Sequence, residues 1–367
     1  MASPLLILFI HLGLGGVQRK IVDIVNYLAL GKPDLPIVIL LRNKEEFELI
    51  SEVQNKKVKI INYQALRPLK IPFFFPFFII YQIYRLNPRS VLAFLDFVSL
   101  PAIWAKMIFF WRPTRLVLSE DHYASKIIPT FALGRLRNLL VKIFYPFADA
   151  VFTCSQATRQ DLIKNYGIKP EKVKIIVNWT TFANREVGVK RKKYDLIYIG
   201  RLVQTKNLEF LLKAIKNFKE KGRELTLCLM GSGQDKENLE NLAVEYNIDK
   251  NVIFLEPKND VENYLAQAKV FVYCSQLKAE GYPMAILEAM AVGVPVLSRN
   301  FAGADEFLED GENCYIFKNE KEYGVKLFQL LDDSRNANRI ALSAKKYVIK
   351  YHSPENIDSY LKELQLS

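Results

Sequence analysis

The segment Glu280-Gly281-Tyr282-Pro283-Met284-Ala285-Ile286-Leu287-Glu288 carries the most specific chemistry in this sequence. Pro283 suits a first helical turn, so Glu280 falls in the preceding loop and Glu288 one to two turns inside the helix. The amides of Met284, Ala285, Ile286 and Leu287 then have no partner inside the helix and can face a diphosphate. Two carboxylates with no demand for metal, Glu280 and Glu288, can accept hydrogen bonds from sugar hydroxyls. The alternative for Glu288 is a surface helix carboxylate. It fits poorly beside Ile286, Leu287, Ala289 and Met290, which make most of this helix apolar.

Three further constellations sit where an apolar run gives way to a helical pattern. In Gly200-Arg201-Leu-Val-Gln-Thr-Lys206-Asn207, a guanidinium and an ammonium bracket a loop that leads into a helix. Phosphate oxygens are the natural partner of cations so placed, and a pair of solvated surface charges is the alternative. Gly231-Ser-Gly233 is another permissive turn. His11-Leu-Gly-Leu-Gly15-Gly16 lets backbone amides approach an anion, or serves as a tight structural turn. The dinucleotide fingerprint would need glycine at position 18, where Gln18 stands, which counts against an NAD enzyme.

These residues need sheet edges to hold them, and the apolar pattern supplies two sets. In the N-terminal half, strands are expected at Leu5–Ile10, Ile37–Leu41, Val58–Ile61, Val91–Leu95, Leu116–Leu118 and Ala150–Thr153. Helical patterns lie between them at Val17–Leu30, Phe73–Tyr84 and Leu136–Phe147. Residues 179–193 are polar, end in Lys190-Arg-Lys-Lys193 and read as a linker. The alternation then restarts, with strands at Leu196–Ile199, Leu225–Met230, Val252–Leu255, Val270–Cys274 and Val294–Leu297 separated by helices. Short continuous apolar strands alternating with helices predict parallel sheets covered on both faces. The expected fold is therefore α/β: two Rossmann-like doubly wound parallel-sheet domains facing a central cleft. The N-terminal domain would span 1–178 and the second domain 194–345, with a C-terminal helix over 346–367 packing back toward the first. Ligands of such sheets bind at the carboxyl ends of the strands.

Composition narrows the classes. A chain of 367 residues suits two domains, and a quarter charged with half hydrophobic is ordinary globular usage. Cys154, Cys228, Cys274 and Cys314 form no CxxC pair and read as buried reduced thiols; His11, His122 and His352 are not spaced as ligand pairs, so no metal is expected. The N-terminus runs straight into a strand without a basic n-region, and Pro76 and Gln82 interrupt the most lipid-like stretch, PFFFPFFIIYQIY. Neither a signal peptide nor a transmembrane helix is expected, and the expected compartment is the cytoplasm at the inner face of the plasma membrane. Residues 1–178 hold 24 Lys and Arg against 12 Asp and Glu, whereas the remainder holds 27 of each. A basic half beside a neutral one suggests an anionic partner surface, with a solvated face as the alternative.

In these motifs the sequence resembles the retaining glycosyltransferases of family 4, which have the GT-B fold. Gly15-Gly16 is similar to that family's N-terminal glycine loop, and Ser155 with Gly167-Ile168 and Asn178 to its SxxxxxxL…YGI…N segment. Gly200-Arg201…Lys206-Asn207 is similar to its donor-diphosphate loop, Glu280 to Glu288 to its E-x7-E element, and Asp305-Glu306 with Asp310-Gly311 to its closing stretch. The resemblance spans nearly the whole chain. It implies a retaining, metal-independent transfer of a sugar from a nucleotide-sugar donor to a glycan or lipid-linked acceptor, in cell-surface polysaccharide or glycolipid synthesis, with no resident cofactor and no nucleic-acid partner. Arg201 and Lys206 would neutralise the leaving diphosphate. Glu288 would hold the ribose, Glu280 the transferred sugar, and residues around Pro257 the base. His122 would fill the N-domain catalytic position, with Glu120 or Asp121 as alternatives should the loop shift. The acceptor would dock on the N-terminal domain, and its basic surface would meet an anionic membrane, although core burial explains Phe73–Tyr84 and Leu136–Phe147 without one. Competing readings are a GT-B-like nucleotide-sugar epimerase or hydrolase, and a non-catalytic sugar-nucleotide-binding scaffold; retention of Arg201, Lys206, Glu280 and Glu288 together argues against the scaffold.

Overall fold

The structure is a computed structural model, and it describes residues 3–13, 15–42, 49, 52–54, 57–63, 74–184, 188, 190–275 and 281–366. The chain divides into two compact units, Met1–Val177 with Glu355–Ser367, and Asn178–Pro354.

The first unit is built on a seven-stranded sheet: β1 (Leu5–Phe9), β2 (Ile37–Leu41), β3 (Val58–Asn62), β4 (Ser90–Phe94), β5 (Arg115–Ser119), β6 (Ala150–Thr153) and β7 (Val173–Ile175). Its order is β3-β2-β1-β4-β5-β6-β7, and every pairing is parallel, as in the register Leu5↔Ile37 and Leu5↔Ser90. β1, β2 and β4 are buried at all their residues, which is why they read as unbroken apolar runs rather than alternating ones. Helices α1 (Gly16–Gly31), α2 (Phe75–Leu86), α3 (Asp96–Ile108), α4 (Ala124–Ile127), α5 (Gly134–Phe144) and α6 (Gln156–Tyr166) connect them.

The second unit repeats the plan with β8 (Tyr194–Ile199), β9 (Leu227–Met230), β10 (Val252–Leu255), β11 (Ala268–Tyr273), β12 (Val296–Arg299) and β13 (Tyr315–Phe317). The order β10-β9-β8-β11-β12-β13 is again all parallel. Its helices are α7 (Leu208–Glu220), α8 (Lys236–Glu245), α9 (Val261–Ala266), α10 (Met284–Val292), α11 (Glu320–Asp332) and α12 (Ser334–Tyr351). Each sheet reverses direction beside its first strand, at β1/β4 and at β8/β11, the position where doubly wound sheets open a crevice.

Two stretches differ from the sequence expectation. The start of the polar stretch 179–193 is held inside the second unit: Trp179 and Phe182 are buried, and Thr180 N donates to His352 O. Two apolar anchors among polar neighbours have no periodicity to give them away. The helix expected over 346–367 is two helices. α12 ends at Tyr351 within the second unit, and α13 (Ile357–Glu363) packs in the first, where Ser90 Oγ donates to Leu364 O at 2.7 Å. Pro354 falls at the break; it lacks an N–H and disfavours a helical residue before it.

Candidate active site

The second unit gathers its predicted residues along the carboxyl edge of its sheet. β8 leads into Gly200 and Arg201, β9 into Gly231, β10 into Pro257, and β11 into Ser275. Hydrogen bonds from Gly200 N to Met230 O (3.0 Å), Leu202 N to Ser232 O (2.8 Å) and Gly231 N to Leu255 O (2.9 Å) tie the first three loops together. Glycine is required here for space. A Cβ on Gly231 would lie 1.8 Å from Gly200 O, and one on Gly233 2.1 Å from Leu202 O.

Arg201 is exposed on this edge, and Tyr198 Oη donates to its carbonyl at 3.1 Å. Lys206 is buried. Its Nζ reaches Tyr273 Oη at 3.4 Å, and Ser275 Oγ bonds Thr205 O at 3.2 Å, so the Arg201–Lys206 loop is fastened to the end of β11 across the β8/β11 switch point. Lys206 thus brings a buried ammonium to that edge, held against the hydroxyl and ring of Tyr273.

Glu280 lies outside the described residues. Gly281 and Tyr282 are buried, and Pro283 is the N-cap of α10 rather than a residue of its first turn, with φ −64° and ψ 117°. Ile286 N already donates to Pro283 O at 3.2 Å, and Leu287 stands where the helical ladder begins. That leaves Met284 and Ala285 as the amides ahead of the ladder. The side chains of Ile286 and Leu287 are buried, and that of Glu288 is half-buried.

Tyr282 is fixed by residues no donor motif contains. Its ring stacks on Phe307 with centroids 4.0 Å apart, its carbonyl accepts from Asn178 Nδ2 at 2.8 Å, and its hydroxyl lies 3.0 Å from His352 Nε2. His352 Nδ1 is 2.6 Å from Asn178 O. A carbonyl only accepts, so Nδ1 carries the proton. Burial holds the His352 pKa below its ordinary value, so the ring is neutral, Nε2 is the acceptor and the tyrosine donates.

In the first unit, Gly15 is the N-cap of α1 and Gly16 its first residue. Gln18 folds back beside them, with Nε2 3.4 Å from His11 Nδ1. His122 follows β5 in the loop Glu120-Asp121-His122, and the three candidates for one position prove to be three distinct environments. Glu120 is buried, accepts from Tyr145 Oη at 2.9 Å, and has Oε1 3.2 Å from His122 Nδ1. Burial, reinforced by Asp96, raises its carboxyl pKa well above the usual range. Asp121 pairs with Lys20 at 2.9 Å, an almost fully buried ammonium on α1 that also lies over the Tyr360 ring. Arg137 holds Asp96 through two bonds of 2.8 and 2.7 Å. His122 is thus a partly exposed imidazole backed by a buried carboxyl. Sequence reading missed Lys20, Tyr145 and Tyr360. Lys20 alone left a trace, as a cation between Gln18 and the apolar Ile21.

The four cysteines are free and buried, and burial pushes the Cys228 thiol up to about 12, as expected of inert core thiols. Among the described residues, no three His, Cys, Asp or Glu side chains group as a metal site.

Paired parallel sheets of this order, each with its polar loops at the carboxyl edge, define the GT-B class. The structure matches HepE of Anabaena solved with UDP and glucose, with a TM-score of 0.80 at 18% identity over all of both chains. It also matches a sucrose-phosphate synthase of Thermosynechococcus elongatus, with a TM-score of 0.81 at 16% identity over 99% of this chain and 98% of that one. The model for glycosyl transferases group 1 matches residues 180–347, and that for glycosyltransferase family 4 matches residues 14–180. The chain belongs to glycosyltransferase family 4 and is a glycosyltransferase. It is 27% identical to the N-acetylgalactosamine-N,N'-diacetylbacillosaminyl-diphospho-undecaprenol 4-alpha-N-acetylgalactosaminyltransferase of Campylobacter jejuni, covering 91% of this chain and 98% of that one. It is 29% identical to the O-antigen biosynthesis glycosyltransferase WbnH of Escherichia coli, over 60% of this chain and 63% of that one.

Proposed function

We propose that this enzyme transfers a sugar, with retention and without metal, from a nucleotide sugar to a lipid-linked glycan in the synthesis of a cell-surface polysaccharide or glycolipid. The observation that carries the donor half is Lys206, buried beside the Arg201 loop at the β8/β11 switch point. In the reaction the anomeric carbon loses its bond to the diphosphate and gains one to the acceptor oxygen, whose proton passes to the departing diphosphate. Arg201, Lys206 and the amides of Met284 and Ala285 stabilise the charge that develops on the leaving diphosphate. Glu288 holds the ribose, Glu280 the transferred sugar, and the Pro257 turn the base. On the first unit, His122 backed by Glu120 serves the catalytic position. The relatives named for a diphospho-undecaprenol-linked sugar and for O-antigen synthesis support a lipid-linked acceptor, and the resemblance to a retaining family supports retention. The test is a screen of UDP-, GDP- and ADP-sugars by thermal shift, followed by transfer assays with and without EDTA and NMR of the product anomer. A saturating donor stabilises by about 2.7 kcal/mol at a hundred times its Kd. Inversion, loss of transfer in EDTA, or no stabilising donor would overturn the corresponding part.

The acceptor half includes a membrane, and a distinct observation supports it. α2 and α5 each bury one apolar stripe and expose another: Phe74, Phe77, Tyr81 and Tyr84 on the first, Leu133, Leu136, Leu139 and Ile143 on the second. α3 packs against both helices and is followed by a turn carrying Phe110 and Trp111, which are 80% and 63% exposed. Between residues 74 and 147 the sequence holds nine Lys and Arg but three carboxylates, those three buried or half-buried; Lys106, Arg115 and Arg137 are engaged with Asp149, Glu363 and Asp96, which leaves six basic residues for the surface. An apolar, cationic face without an exposed carboxylate fits an anionic bilayer, at about 1 kcal/mol per basic residue near the surface. A second copy of the same face would be repelled. The protein should co-sediment with phosphatidylglycerol vesicles and not with phosphatidylcholine ones, and Phe110→Ser with Trp111→Ser should weaken that binding; equal, negligible binding to both would reject the membrane.

A further inference from the structure

We infer that His352 is a positioning residue of the donor site, acting through Tyr282; this rests on the donor reading given above. His352 is 64 residues beyond Glu288 and belongs to none of the motifs that mark a nucleotide-sugar site. It is 1% exposed at the end of α12, where His352 N still donates to Val348 O, so the ring is held by a helix of 18 residues. From there it meets two other segments. Nδ1–H donates to Asn178 O, and Nε2 accepts from Tyr282 Oη, while Asn178 Nδ2 donates to Tyr282 O. The three residues close a ring of hydrogen bonds, with Phe307 stacked on the tyrosine.

What the ring fixes is the residue immediately before Pro283, the N-cap of α10. Tyr282 is gripped at its carbonyl, its ring and its hydroxyl, so it has little freedom to rotate or slide. The Met284 and Ala285 amides follow within three residues and inherit that placement. A preorganised donor group loses effect steeply when displaced by even an ångström. The neutral ring sets the direction of the bond: Nε2 accepts and the Tyr282 hydroxyl donates.

Tyr282→Phe tests this most cleanly. It keeps the stacked ring and the Asn178 bond and removes one hydroxyl. UDP, GDP and ADP are titrated calorimetrically into the unsubstituted protein, Tyr282→Phe, His352→Gln and Ile340→Val, the last a buried change elsewhere on α12. The nucleotide that binds the unsubstituted protein should bind Tyr282→Phe and His352→Gln about tenfold more weakly, with the donor KM rising in step and kcat at saturating donor falling less. Ile340→Val should lower the melting temperature and leave affinity unchanged. Tyr282→Phe that melts earlier yet binds as before would reduce the ring to a structural contact and overturn the inference. If no nucleotide binds the unsubstituted protein, the donor reading falls and this inference with it.

Discussion

At the level of single residues, each unit buries an ionisable group against a tyrosine hydroxyl: Lys206 against Tyr273 at a sheet edge, and Glu120 against Tyr145 with the His122 imidazole beside it. If the proposed donor role holds, Lys206→Ala should cut transfer by two orders of magnitude or more while the protein melts near its usual temperature, since the additional charge on the leaving diphosphate develops only during reaction. Glu288→Ala should behave likewise, and unchanged turnover in both would remove the donor site from this loop. Glu120 gives a pH test. Unfolded, its carboxyl ionises near 4.5; folded, burial and the neighbouring Asp96, Asp121 and Asp161 keep it protonated to higher pH. Above pH 4.5 the folded state thus binds more protons, and stability falls as pH rises until the folded carboxyl ionises. The groups facing it are Tyr145, His122 and the ion pairs Asp96–Arg137 and Asp121–Lys20. Glu120→Gln keeps an acceptor for Tyr145 and removes the ionisation. Its stability relative to the unsubstituted enzyme should grow from pH 4.5 upward by at most about 1.4 kcal/mol per pH unit. Denaturant melts at pH 4.5 and 7 giving the same difference would show that Glu120 ionises normally.

At the level of elements, the proposed donor site rests on loops that leave neighbouring strands and touch. Gly231→Ala would drive a methyl into the Gly200 carbonyl, and because the obstacle is backbone, the β8 and β9 loops must part. The expected result is a loss of about 2 kcal/mol or more together with weakened nucleotide binding. Gly324→Ala serves as the comparison. It lies inside α11, its Cβ would meet Phe218 at an ordinary 3.7 Å, and it should gain up to about 1 kcal/mol of helix stability. Equal melting temperatures for the two variants would refute the close approach. The elements themselves were legible in the sequence wherever burial on both faces made a strand a continuous apolar run, as in Ile37–Leu41 and Ala150–Thr153, whose observed limits coincide with the expected ones. β7 and β13 lie outside the expected set because three residues are too few to register as a run. The loops at the carboxyl edge of the second sheet were legible as turns, since glycine and proline each announce a local backbone demand. The ring through Asn178, Tyr282 and His352 was not. Its members are 104 and 70 residues apart, and only tertiary packing joins them. Glu120 was legible as a candidate but its environment was not, because burial by Tyr145 is set by α5 and the turn after it.

At the level of the whole molecule, the chain leaves its first unit at Val177 and returns to it at Glu355. The last residues are part of the first unit's core rather than a trailing end. Tyr360 is fully buried, stands edge-on to Phe152 at 4.5 Å, and places its hydroxyl 3.2 Å from Ser119 Oγ on β5. Ile357, Leu361 and Leu364 are buried with it, and Arg115 pairs with Glu363. The same ring covers Lys20, whose pair with Asp121 holds the loop that carries His122. Ending the chain at Pro354 should therefore damage the first unit and spare the second. Each large buried side chain removed costs about 2–5 kcal/mol, so the loss exceeds the stability of an ordinary domain of this size. Water would also reach a buried ion pair, loosening the Asp121–His122 loop. In calorimetry the truncated protein should lose or greatly lower one transition. The second should persist and still rise with the nucleotide that stabilises the full chain, because Lys206, Tyr282 and His352 all precede the cut. Transfer should vanish although the donor still binds. A truncated protein with both transitions intact would mean that the first unit's core closes without α13, and one that no longer responds to nucleotide would mean that the donor unit depends on the first for its fold.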